Sequence, residues 1–226
     1  MTMVSALMGH QMWAPHYDDG PNPVLALESR ILRPVLDRCA AERVIDLGCG
    51  TGRWMRYFVH RQTSVFGVDI CPEMLRQATG DACLRTRLAL GDVLHLPFAG
   101  ASASLVLCSF SLGYIANLNA MFAEIARIAE PCATVVISDL HPDAISSGWT
   151  RSFKVDGCSY DIEHYAHSEA AILRAALAAG FALESKIQAC LGPPELPILQ
   201  RAGKSASFEG LSQIPAVWTA VWKKPC

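Results

Sequence analysis

The chain has 226 residues, enough for one domain with a sizeable core. Apolar residues make up 51% and charged residues 18%; 19 basic face 21 acidic side chains with no basic block, which argues against a nucleic-acid partner. No apolar run approaches bilayer-spanning length, so no membrane partner is expected, and Met1 to Gln11 lacks the charged start and long apolar stretch of a signal peptide. Nine cysteines without a C-x-x-C pair read as small buried hydrophobes in a reducing compartment, so a cytoplasmic location is expected.

Residues 1–20 show no clear period and carry Trp13, His16 and Tyr17. Asn22-Pro23 opens a helix, with Asn as cap and Pro in the first turn; Val24, Leu27 and Ile31 give it one apolar face, and Pro34 should bend or interrupt it. A short strand, 43–48, then runs through Val44-Ile45-Asp46-Leu47 into Gly48-Cys49-Gly50-Thr51-Gly52. Gly48 allows a sharp turn at positive φ, and Gly50 and Gly52 leave no side chain between backbone and ligand. The helix expected over 53–60 points its first amides at the same spot, which suits a nucleotide-like ligand. A dinucleotide loop would need its third glycine at position 53, where Arg53 stands, so that spacing fails.

The second strand, Ser64 to Asp69, ends in an acid suited to the two hydroxyls of a ribose. After a helix over 72–79, a third strand over 86–90 leads to Asp92-Val93, an acid to accept from an exocyclic amine beside an apolar residue to flank an adenine face. A fourth strand covers Leu105–Cys108, a helix 118–129 ends before Pro131, and a fifth strand covers Thr134–Ser138. This alternation implies an α/β domain with a mostly parallel sheet and helices on both faces. Next, Asp156-Gly157 between two short alternating runs predicts a β-hairpin inserted after strand five. Ser168 caps a helix that Gly180 ends; final strands at about 181–190 and 216–223 flank a long loop, 192–214.

The segments VIDLGCGTG at 44–52, GVDICPEML at 67–75, GDVLHLPF at 91–98 and LVLCSFSLGYI at 105–115 closely resemble the class I S-adenosylmethionine (SAM)-dependent methyltransferases, strongly over residues 40 to 140 and loosely elsewhere. Cys71 departs from the resemblance: Ser is frequent there and would cap the next helix. The resemblance implies a Rossmann-like three-layer sandwich. Its mostly parallel seven-stranded sheet would have an antiparallel last strand. Residues 1–226 would be one domain: an arm and cap helix at 1–40, a cofactor-binding core at 41–140, and an acceptor side at 141–226. It further implies SAM, demethylated to S-adenosyl-L-homocysteine. The cofactor would lie against Asp46, Gly48, Cys49, Gly50, Gly52, Asp69, Ile70, Asp92, Val93 and Ser109.

Methyl transfer needs alignment of a nucleophile and exclusion of water, and a general base only where the nucleophile must lose a proton. His141, just past strand five, is the first candidate base, and Tyr17 is the second catalytic candidate. Trp13 and His16 from the arm, and Tyr114 at the end of strand four, are expected around the acceptor. Tyr160, Glu163, His164 and His167 form a polar aromatic cluster after the hairpin; its spacing is a weak metal signal, so no metal is expected and substrate contact is assigned to Tyr160, Glu163 and His164. Glu195 could reach the substrate from the long loop. The function expected is methyl transfer to an O, N or C atom of a small molecule. A SAM-binding regulatory domain without turnover and a methyltransferase acting on a macromolecule stay open, as do monomer and homodimer.

Overall fold

A computed structural model describes residues 2–201, 203 and 208–226. Part of the expected 192–214 loop therefore lies outside the described residues.

The sheet core follows from apolar periodicity. Strands β2 (Arg43–Leu47), β3 (Ser64–Asp69), β4 (Leu88–Leu90), β5 (Ala103–Ser109), β6 (Ala129–Leu140), β9 (Ala182–Ala189) and β10 (Val217–Lys223) form one seven-stranded sheet in the order β4-β3-β2-β5-β6-β10-β9. Neighbours from β4 to β6 pair in parallel, while β10 runs antiparallel to both β6 and β9. Alternation decides which side chain meets which layer. Ile45, Leu47, Val106 and Cys108 pack with Met121, Phe122 and Ile125 of α5 (Leu118–Ile128) and with Ile172 and Ala176 of α7 (Glu169–Ala178). Val44, Leu105 and Leu107 face the other way. They meet Leu32 and Leu36 of α2 (Pro23–Arg38), Met55 and Phe58 of α3 (Arg53–His60), and Leu75 of α4 (Pro72–Ala78). Burying each large side chain contributes roughly 1.5–3 kcal/mol. The two layers hold the strand ends, and with them the glycine loop, rigidly in place.

Three expectations are corrected. Helix α2 runs unbroken through Pro34 because its apolar face, Leu27 to Leu36, is buried on both sides of the proline. The hairpin β7 (Ser152–Val155) and β8 (Cys158–Ile162) forms, with Asp156 and Gly157 both at positive φ as a two-residue hairpin turn requires. It does not stand alone: β1 (Thr2–Val4) pairs with β8 in parallel, Thr2 opposite Tyr160 and Val4 opposite Ile162, so the N-terminal arm is the third strand of a small second sheet. Finally, not all nine cysteines are thiols. Cys132 and Cys226 form a disulfide, brought together because the β6–β10 ladder continues through Lys224 N to Ala133 O and Cys132 N to Pro225 O.

Short helices complete the chain: α1 (Ala6–Trp13), capped by Ser5, α6 (Pro142–Ser146), α8 (Leu196–Arg201) and α9 (Phe208–Leu211). An aromatic stack fastens α1 to the hairpin: Trp13 lies on Phe153 at 5.4 Å and 10°, and Phe153 on Tyr160 at 5.3 Å and 21°. Gly9 is the close-approach point, since a Cβ there would sit 2.9 Å from Ile162 Cγ1. The arm is thus held across the carboxyl ends of the sheet strands.

Candidate active site

Below α1, the strand ends enclose a crevice of about 250 Å³. Gly48, Gly50, Asp69, Ile70, Asp92, Val93 and Ser109 line it from the sheet side; Ala6, Leu7 and His10 line it from α1. The glycine loop is shaped for this. Gly48 stands at φ 63°, and a Cβ on it would collide with Ser111, whose hydroxyl donates to Gly48 O at 3.3 Å. Gly50, at φ 55°, has nothing within 4 Å of where its Cβ would be, so a side chain there would project into the space the crevice keeps open. Gly52 is the N-cap of α3 and packs toward Leu84, away from both cavities.

Asp69 organises the loop. Its Oδ2 accepts from Gly50 N and its Oδ1 from Cys71 N, each at 2.8 Å. Burial raises its pKa against the pull of those amides. Each carboxylate oxygen can accept a second hydrogen bond, and Asp69 lines the crevice, so it can serve a pair of vicinal hydroxyls there. Asp92 Oδ1 accepts from Leu94 N at 2.9 Å, which fixes its carboxylate beside Val93. The carboxylate, the open space at Gly50 and the apolar walls from Ile70, Met74 and Val93 fit a nucleoside bearing a ribose and a flat base.

Under Ser109 lies a fully buried acid from α2. Glu28 Oε1 accepts from the hydroxyls of Ser109 and Ser138, each at 2.6 Å, and its Oε2 from Arg53 at 2.8 Å. Asp46 and Cys49, expected at the cofactor, line neither cavity. Asp46 is buried behind the loop, and desolvation pushes its pKa up to about 8; Cys49 packs into the core layer of α3, where burial raises its thiol well above the usual range.

A second cavity of about 480 Å³ adjoins the crevice and shares His10, Tyr17, Phe110 and Tyr114 with it. Trp13, His16, Asn22, Leu140, Trp149, Arg151, Leu191 and Leu199 are among its other walls. Burial raises the Tyr17 phenol above its ordinary range, so it stays protonated. Phe110 adopts φ 53°, a left-handed conformation that costs on the order of 1–3 kcal/mol. It is held there by its N–H donating to Ser138 O at 2.8 Å and its carbonyl accepting from Arg151 Nη1 at 3.3 Å. Arg151 is buried, paired with Asp139, and lies 4.7 Å over the Tyr114 ring. Burial opposes its charge, but Asp139 outweighs that and keeps it protonated. Its Nε has no hydrogen-bond partner among the described residues.

The structure therefore brings Trp13, His16, Tyr17 and Tyr114 to the walls of one cavity, and places five other residues expected on the acceptor side elsewhere. His141 caps α6: its Nδ1 accepts from Asp143 N at 3.1 Å, and its Nε2 faces Gln188 at 2.7 Å and Glu169 at 3.2 Å. Tyr160 is the far end of the aromatic stack that supports Trp13. Glu163 extends the β1–β8 pairing through its backbone, and His164 Nδ1 lies 3.1 Å from Ile162 O. Glu195 is buried against Arg30, with Nε to Oε1 at 2.8 Å, and accepts from Gly192 N. None of these five lines either cavity. Conversely His10, Trp149 and Arg151 were not singled out by the sequence, because their elements carry no local signal of facing a crevice; Phe110 follows directly on Ser109 and was within reach of the strand-end argument.

A family profile described as "Methyltransferase domain" matches residues 44–132. The chain is 30% identical over 128 residues to malonyl-[acyl-carrier protein] O-methyltransferase of Methylovorus, covering 52% of this chain and 43% of that protein. It is 34% identical over 109 residues to demethylmenaquinone methyltransferase of Tropheryma whipplei, covering 46% and 44%. The chain thus spans less than half the length of these relatives. A solved SAM-dependent methyltransferase from Mesorhizobium loti shares the fold, with a TM-score of 0.67 at 21% identity over 90% of this chain and 100% of that one. Residues 44–132 thus match the methyltransferase-domain profile, and the strand order and overall fold are shared with a solved SAM-dependent methyltransferase.

Proposed function

We propose that the protein transfers a methyl group from SAM to an O, N or C nucleophile of an apolar, ring-bearing small molecule. The observation that carries this reading is the pair of adjoining cavities. One fits a nucleoside, the other has aromatic walls, and they meet at His10, Tyr17, Phe110 and Tyr114. SAM would lie with its ribose on Asp69 and its adenine near Asp92 and Val93, and it supplies an activated methyl group. The protein's own part is alignment and dryness: Tyr17, Phe110 and Tyr114 wall the junction, and the arm excludes water from it.

Two features narrow the acceptor class. Trp13, Tyr17, Phe110, Tyr114 and Trp149 offer ring faces. The unpaired Nε–H of Arg151 would be satisfied by an oxygen acceptor on the substrate, such as a carbonyl, quinone or ether. The demethylmenaquinone relative is named for an acceptor of that character; the malonyl-carrier relatives leave a carboxylate in play. Among the described residues no helix is long and apolar enough to cross a membrane.

Calorimetry with SAM, S-adenosyl-L-homocysteine and NAD tests the cofactor: the first two should bind and NAD should not. A panel of phenols, quinols and carboxylates, scored by release of the demethylated cofactor, tests transfer. NAD binding without SAM binding would overturn the reading; SAM binding with no release across the panel would favour a regulatory domain without turnover.

A further inference from the structure

His141 was the histidine expected to act as base, and it is spent on capping α6. Another histidine stands at the junction of the two cavities. His10, on the inner face of α1, lines both the crevice and the acceptor cavity. Its Nδ1 lies 2.7 Å from Ala6 O, an atom that only accepts, so Nδ1 carries the proton. The other nitrogen, Nε2, is left with its lone pair free: among the described residues the ring's hydrogen bond runs through Nδ1. The ring is held edge-on to Tyr114, with centroids 4.8 Å apart at 87°.

We propose that His10 Nε2 is the general base of this site, taking the proton from an O–H or N–H acceptor as the methyl group arrives. This rests on the methyltransferase reading above. In the transfer, the acceptor's X–H bond breaks toward Nε2 and its electron pair makes the new X–CH₃ bond. The positive charge that leaves the sulfonium as it becomes a neutral thioether reappears on the imidazolium, which then returns its proton to solvent. No further reagent is needed.

The surroundings keep His10 ready. Burial lowers its pKa, opposed by its bond to Ala6 O and by Asp69 from the end of β3, and reinforced by Arg151 ahead of β7. Tyr114 from the turn after β5 faces it, and Tyr17 from the segment after α1 lines the same junction; burial raises both phenols, so both are neutral. A neutral imidazole at pH 7 is the form a base requires.

The test begins without any acceptor. In protein with isotope-labelled histidine, the His10 signals are assigned by their loss in His10→Phe, which preserves a ring against Tyr114. Nitrogen shifts should show the Nδ1–H tautomer, with a titration midpoint below 6.5. Loading with SAM should lower that midpoint by about one unit or more relative to loading with S-adenosyl-L-homocysteine, because only SAM places a positive charge near Nε2. Indistinguishable midpoints in the two complexes, or an Nε2–H tautomer, would overturn the proposal. On an acceptor found by the panel, His10→Phe should retain SAM affinity, lower kcat by ~10²–10⁴-fold and flatten the acid limb of the pH profile. Near wild-type kcat in that variant would also overturn it. Failure of the wild-type protein to bind SAM would remove the methyltransferase reading and this proposal together, whereas SAM binding with equal midpoints removes His10 alone.

Discussion

Replacing Asp139 by alanine should be among the most damaging single changes near the site. Asp139 and Arg151 are both buried, with side-chain exposures of 3% and 7%. The carboxylate also accepts from Gly113 N at 2.8 Å. Asp139→Ala leaves a buried guanidinium without its counter-charge and an amide without its acceptor. Removing one partner of such a pair costs roughly 3–5 kcal/mol. For a chain of this size, each kcal/mol moves the melting temperature by about 2–4 °C, so the expected fall is roughly 6–20 °C. Urea unfolding at pH 7, with a thermal scan alongside, measures it. The control is Asp139→Leu with Arg151→Met, which removes both charges and should lie within about 1–2 kcal/mol of wild type or above it. A loss below about 1 kcal/mol in Asp139→Ala would refute the argument, as would a double variant as damaged as the single one. Because Arg151 braces Phe110 and Tyr114, acceptor turnover should fall in both variants. SAM affinity should fall less, because Gly50, Asp69 and Asp92, on the far side of the crevice, make no hydrogen bond to Arg151.

Two further outcomes follow from the acids under the crevice. Asp69→Asn turns one carboxylate oxygen into an N–H donor facing the amide of Gly50 or Cys71, and removes the charge that would hold the ribose. At about 1.5–3 kcal/mol for a charge-assisted bond, SAM affinity by calorimetry should weaken roughly ten- to a hundredfold; an unchanged Kd would exclude Asp69 as the ribose acid. Asp46→Asn should gain stability relative to wild type as pH rises. The wild-type pKa is about 8 when folded and lies near ~3.9 when unfolded, so between those values the folded state holds the extra proton and stability falls with increasing pH. The asparagine variant lacks that slope, which is worth at most several kcal/mol at ~1.4 kcal/mol per unit. Urea unfolding at pH 5 and pH 8 reads it, and a difference independent of pH would refute it.

What the sequence revealed and what it hid divide along the range of the interactions. The alternation of β2, α3, β3, α4 and β5 was legible because each element declares itself within about ten residues, by apolar period and by a cap or a glycine. So was the placement of Gly48, Gly50, Asp69 and Asp92 on one crevice, which depends on position at a strand end. The docking of the N-terminal arm was not legible. Strand β1 is three residues long and finds its partner β8 more than 150 positions away, and a pairing of that kind leaves no local pattern. His10 and Arg151 reach the cavities only because that pairing and the Trp13–Phe153–Tyr160 stack exist. Tyr160 illustrates the same point from the other side: an aromatic residue expected at the substrate instead props up Trp13, which lines the larger cavity.

His141 is the more instructive miss, because its local signal was present. Three helices here open with a residue followed by proline: Asn22-Pro23, Cys71-Pro72 and His141-Pro142. Proline suits the first helical position, where no amide is needed, and so marks the preceding residue as the cap. Asn22 caps α2 through its side chain, whereas Cys71 makes no side-chain cap bond to α4. Applied to His141, the same reading makes Nδ1 the acceptor for Asp143 N, which is what the structure shows. A histidine whose Nδ1 accepts from the backbone must carry its proton on Nε2, and there Gln188 and Glu169 close round it. It therefore has no free lone pair to offer a substrate. In His10 the carbonyl of Ala6 takes the Nδ1 proton and leaves Nε2 bare. The partner of one ring nitrogen thus decides what the other can do: of these two histidines, the one past strand five is a cap, and the one on the arm holds the free lone pair.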